Sequence, residues 1–76
     1  MDNILFSRPL EIGSLTIADA DQAGSYLLDY WPVDHGEHYE SARFACLEAV
    51  AGRCHPDEAR AAFLRAAEHA GVFVLS

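Results

Sequence analysis

The chain reads as an α+β domain in the order β-β-α-α-α-β: a small antiparallel sheet, an N-terminal hairpin plus a C-terminal strand, covered on one face by about three helices. Three observations predict it. Alternating aliphatics flank a glycine-led turn near the N-terminus, three segments with helix-start and helix-stop residues follow, and an apolar run, Val72-Phe73-Val74-Leu75, lies at the C-terminal end. With 76 residues the chain is a single domain, 1–76, below the roughly 100–200 residues usual for one domain.

The hairpin comes first. Leu10 and Ile12 alternate with Glu11, Gly13-Ser14 interrupts, and Leu15 and Ile17 alternate with Thr16. Glycine in the first central position of a two-residue turn is the type II′ signature. It sets Ile12 against Leu15, Glu11 against Thr16 and Leu10 against Ile17, so all four aliphatics share a face. Pro9, without an N–H, suits the start of an edge strand.

Asp19 and Gln22 then form a capping pair for the first helix, the Asp carboxylate accepting first-turn N–H groups and Gln22 reaching back. Ala23, Leu27, Tyr30 and Trp31 follow at helical spacing, and Pro32 is the stop. Gly24 is a weakness inside this helix, costing about 1 kcal/mol relative to Ala unless a neighbour needs the space. Val33 to Gly36 is a turn. The second helix starts near Gly36 or Glu37 and runs to Ala51, with Tyr39, Ala42, Cys46, Ala49 and Val50 on one stripe that Phe44 and Leu47 widen; Gly52 ends it. The third opens on Pro56, with Asp57 and Glu58 at the positive end of the helix dipole. It buries Ala59, Ala62, Phe63, Ala66 and Ala70 and closes at Gly71. The apolar run after Gly71 is read as a covered strand.

Twelve acidic residues against five arginines, with no lysine, leave a net charge of -7. Phosphate contacts need clustered Lys and Arg, so direct nucleic-acid binding is not expected, and an anionic membrane surface would repel the chain. No apolar run approaches the ~20 residues of a membrane span, and Asp2 stands where a secretory leader carries basic residues. The expected location is cytoplasmic, with Cys46 and Cys54 as reduced thiols. Abundant Ala and Arg without Lys fit a high-GC bacterial coding sequence. Only 24 of the 76 residues are Val, Ile, Leu, Met, Phe, Trp or Tyr, because thirteen of the apolar residues are Ala. Ala-rich helix faces supply little apolar area, which makes a second subunit an attractive source of burial and a homodimer the expected state.

Trp31-Pro32, then Tyr39, Ala42, Cys46 and Ala49, then Gly52, then Pro56, Ala59-Arg60, Ala62-Phe63, Ala66-Ala67 and Ala70 resemble domain-of-unknown-function family 982, a set of short bacterial proteins. The resemblance runs over nearly the whole chain. It implies a small α+β fold and carries no activity, substrate or catalytic residue.

No constellation calls for catalysis. His35-Gly36-Glu37-His38 and Cys54-His55 hold metal-ligand residue types, but the His-Glu-x-x-His spacing is absent and nothing fixes the rings, so neither a metal nor a cofactor is expected. Cys46 lies on an apolar stripe and is read as a small core residue; Cys54 is the more exposed thiol. Asp19/Asp21 and Asp57/Glu58 lie at helix starts, where dipole complementation explains them. Trp31, with Tyr39 and Arg43, is the candidate partner-binding patch, against the alternative that Trp31 plugs the core. The expected function is non-enzymatic: a homodimeric protein-interaction or regulatory module. The alternatives are an acidic decoy of a basic nucleic-acid-binding partner, or a small-ligand or thiol enzyme using Cys54 or His35, His38 and His55.

Overall fold

The computed structural model describes residues 4–31 and 36–75. Two strands, β1 (Leu5–Ile12) and β2 (Leu15–Asp19), precede three helices, α1 (Ala20–Asp29), α2 (Glu37–Val50) and α3 (Pro56–Ala70). Of the expected turn Val33–Gly36, positions 33–35 lie outside the described residues, as does Pro32, the expected helix stop, and Gly36 is the N-cap of α2.

β1 and β2 pair antiparallel with Leu10 opposite Ile17, Glu11 opposite Thr16 and Ile12 opposite Leu15, the register the alternation demands. Gly13 has φ 59 and no non-glycine residue among those described has a positive φ. Ser14 therefore has a negative φ, which separates type II′ from type I′. Nearer the N-terminus the register shifts, so that Phe6 to Pro9 stand opposite Ala18 alone before Leu5 meets Asp19. This four-against-one irregularity turns Phe6 into the core and takes backbone groups off the ladder. Helix α3 answers them: the Ser7 N–H donates to Asp57 Oδ1 at 2.9 Å, and Arg60 Nε donates to the Arg8 carbonyl at 2.9 Å. Pro9 has no N–H to satisfy.

The expected C-terminal strand is absent. Val72–Leu75 meets β1 at one isolated bridge, with Glu11 N–H to Leu75 O at 2.9 Å and Leu75 N–H to Glu11 O at 2.8 Å. A ladder cannot grow from it. The bridge is antiparallel, so Val72 to Val74 run toward Ile12 and Gly13, where β1 ends in the turn. The run is covered only in part: Val74 packs against the core, whereas Phe73 is 76% exposed. The sheet therefore has two strands, and the order is β-β-α-α-α.

The helices also depart from a single covering layer. α1 lies against β2 and α3 against β1, while α2 packs mainly on α1 and α3. Their ends follow the chemistry of the chain. At α1 the Asp19 carboxylate accepts from Gln22 N–H at 2.8 Å, and Gln22 Oε1 accepts from Ala18 N–H at 2.7 Å, one residue beyond the N-cap. At α3 the N-cap is His55: Nδ1 accepts from Asp57 N–H at 3.0 Å, and the His55 N–H donates to Glu58 Oε2 at 3.2 Å. Beyond α2, Gly52 sits at φ 80, and Arg53 N–H reaches Glu48 O at 2.8 Å while Gly52 N–H reaches Ala49 O at 3.1 Å. This paired closure ties off two of the carbonyls that a helix end leaves without partners.

Seven of the fourteen buried hydrophobic residues among those described are alanine. The larger side chains, Phe6, Leu10, Ile17, Leu27, Tyr39 and Phe63, fill the space where the hairpin and helices meet.

Candidate functional site

Helix α2 carries two apolar stripes. Tyr39, Ala42, Cys46 and Ala49 are buried, whereas Phe44 is 65%, Leu47 60% and Val50 42% exposed. Phe44, Leu47 and Val50, expected on the buried face, are thus corrected to the outside. The reason is clearance. A Cβ built on Gly24 of α1 would stand 3.6 Å from Cys46 Cβ, so α1 and α2 approach with almost nothing between them. Only small residues fit such a seam. Ala42 and Ala49, with Ala59 and Ala66 on α3, suit close approach, and the bulky side of α2 is turned to solvent.

On α1, Leu28 is 62% exposed and faces the same way. Leu28, Leu47 and Val50 line a groove of about 140 Å³ between α1 and α2, floored by Gly24 and Cys46. That volume is below the ~300–1,000 Å³ of small-molecule sites, so the groove suits inserted side chains better than a ligand. Contiguous exposed apolar surface of this kind marks interaction sites. Two charges flank it, Asp21 and Arg43.

The positions of the groove's ends follow from the chain path. The Tyr39 hydroxyl donates to the Leu27 carbonyl at 2.9 Å, and Cys46 lies against Gly24. Moving forward along α2 therefore means moving backward along α1. Arg43 stands at the Leu28 end and Asp21 at the Val50 end.

Of the residues singled out as a partner-binding patch, Trp31 and Tyr39 come together and Arg43 does not join them. Tyr39 is 3% exposed. Its ring centroid is 6.1 Å from that of half-buried Trp31, which in turn meets Phe63 edge-on at 5.7 Å. Tyr26 completes the cluster, 6.2 Å from Trp31 and 6.0 Å from Phe63. The Tyr39 hydroxyl does structural work, since Leu27 is among the last residues of α1, whose carbonyls have no partner within the helix. Arg43 is half-buried at the groove, on the next face of α2.

The thiols and imidazoles are placed as follows. Burial, and then the nearby Cys54, push the Cys46 thiol up to about 12. Cys54 faces a shallow groove between α2 and α3, its Sγ 3.7 Å from the Ala45 carbonyl. Burial, Glu58 and Glu48 all raise its pKa, against the direction a thiolate nucleophile needs. His38 and His69 stack with centroids 3.7 Å apart and planes at 10°. Rings stacked in this way hold their in-plane lone pairs parallel rather than aimed at one point, as a shared ion requires. His55 is occupied as the α3 cap, and His35 lies outside the described residues. Among the described residues no group of three or more His, Cys, Asp or Glu is placed to hold a metal ion, and no helix is long and apolar enough to cross a membrane.

Residues 6–74, from β1 to the run after α3, match the family described as Protein of unknown function (DUF982). The chain belongs to that family. No curated protein and no solved structure matches it.

Proposed function

We propose that this chain is a non-enzymatic, homodimeric protein-interaction or regulatory module of the bacterial cytoplasm. The observation that carries the reading is the outward face of α2, where Leu47 and Val50 stand in solvent beside Leu28 while alanines take the interior. A 76-residue chain has little apolar side chain to spare, and placing its larger ones outside costs stability unless something covers them. The raised thiol pKa values and the stacked histidines favour the non-enzymatic side of the reading. The test is native mass spectrometry of the reduced, untagged protein over a range of concentrations. The expected species is a dimer of unadorned chains. A monomer throughout would overturn the dimer, and added mass of a metal or small molecule would move the function to ligand chemistry.

The net charge of -7 without lysine supports a second reading, an acidic decoy that occupies a basic partner. It differs in salt dependence: association through charge weakens steeply with ionic strength, whereas apolar association holds.

A further inference from the structure

We infer that the α1–α2 groove takes a second copy of the same groove, related by a two-fold axis across the helices near Gly24 and Leu47. The inference rests on the dimeric reading above and assigns its surface. Its ground is the polarity of the groove. One end carries Asp21 beside Val50, the other carries Arg43 beside Leu28, and Leu47 lies between. A two-fold axis perpendicular to the helices reverses the second copy end for end. It lays the partner's acidic end over this chain's basic end, twice, and sets Leu28 toward the partner's Val50. An isologous interface must be self-complementary in this sense.

The charges are available for that pairing. Among the described residues the side chains of Asp21 and Arg43 make no hydrogen bond or ion pair within the chain, whereas Arg53 is taken by Glu48 at 2.6 Å and Arg60 by the Arg8 carbonyl. Arg43 is also half-buried at the groove. A charge there has lost part of its water, so an opposite charge brought across the interface counts for more than at a fully exposed site. An axis parallel to the helices would instead bring like ends level and leave each arginine without the acid. The apolar matching and the charge matching therefore select the same orientation.

The experiment is sedimentation equilibrium on wild type, Asp21→Arg, Arg43→Asp, the double variant Asp21→Arg/Arg43→Asp, and Leu47→Asp, with far-UV circular dichroism confirming the fold of each. Each single charge reversal sets like charges together at both ends of the groove and is expected to weaken the dimer by about tenfold or more. The double variant restores opposite charges and returns the dissociation constant to within about threefold of wild type, since coupled positions are recognised by their non-additivity. Leu47→Asp places a charge at the centre of the interface and is expected to weaken the dimer about a hundredfold. A folded dimer insensitive to all three single changes overturns the groove as interface while leaving the dimer standing. A double variant no tighter than the single ones overturns the antiparallel pairing. A wild-type monomer removes both the dimeric reading and this one.

Discussion

Gly24→Ala tests the spacing on which the whole helix arrangement depends. Glycine inside a helix is worse than alanine by about 0.8–1.0 kcal/mol, through backbone entropy. Whether that gain is realised depends on the seam with α2, where the added Cβ would meet Cys46 Cβ at 3.6 Å, an ordinary van der Waals contact. Neither helix has to move, so the substitution is expected to stabilise the fold by about 0.5–1 kcal/mol. Unfolding entropy near the midpoint is about 2.1 cal/mol/K per residue, or about 160 cal/mol/K for 76 residues. The gain therefore corresponds to a rise in Tm of about 3–6 °C. Far-UV circular dichroism melts give the value, run at two protein concentrations because self-association raises Tm with concentration. A fall in Tm would refute the reasoning: α1 and α2 would have to lie closer than described, and the account of why α2 turns its small residues inward would fail with it.

Three further outcomes follow from the same contacts. Tyr39→Phe leaves the ring in place and removes the hydroxyl from the Leu27 carbonyl, which should cost about 1–2 kcal/mol in urea unfolding; an unchanged midpoint would mean that this carbonyl finds another partner. The Ser7 backbone N–H, then the Ser7 side chain, His55 and Arg60, hold Asp57 below its ordinary 3.8. A carboxylate depressed in the fold stabilises it above the unfolded value, and that contribution is lost as pH falls through the lower, folded one. Asp57→Asn should thus flatten the acid limb of the stability–pH curve below about pH 4, and an unaltered limb would contradict the role given to the Ser7 contact. With the Cys46 thiol at about 12 and Cys54 also raised, iodoacetamide at neutral pH should modify Cys54 slowly and Cys46 only on unfolding. Mass spectrometry of the labelled protein reads both, and rapid labelling of either residue would revive thiol chemistry.

The local features of the fold were legible, and the choices made between distant elements were not. Gly13 between two alternating pairs fixes the hairpin register without help from the rest of the chain, and Asp19, Gly52, Pro56 and Gly71 mark helix ends through their own backbone preferences. Helix α2 is different. Tyr39-Ala42-Cys46-Ala49 and Phe44-Leu47 are both apolar stripes at helical spacing, and periodicity cannot choose between them. Gly24, on another helix, chooses by admitting only a small residue at Cys46. The run Val72–Leu75 has strand composition, yet a strand needs an edge to pair with, and from Glu11 the antiparallel run meets the end of β1 and the turn at Gly13. The Ser7–Asp57 contact joins residues fifty positions apart, so Asp57 looked like a dipole-complementing acid and nothing more. His55 is not one of the usual capping types, Ser, Thr, Asp and Asn, so its residue type does not mark it as a cap. The groove ends were present in the sequence as Asp21 and Arg43, but only the antiparallel run of α1 and α2 gives them opposite places.

The most direct test of the central claim, that the α1–α2 face is where the molecule meets its own copy, is a dilution series of backbone amide spectra by solution NMR. Shifts that move with concentration are expected to cluster on 21–28 of α1 and 43–50 of α2 and to leave the hairpin and the outer side of α3 unchanged. Spectra independent of concentration, or changes centred on the hairpin or on α3, would contradict it.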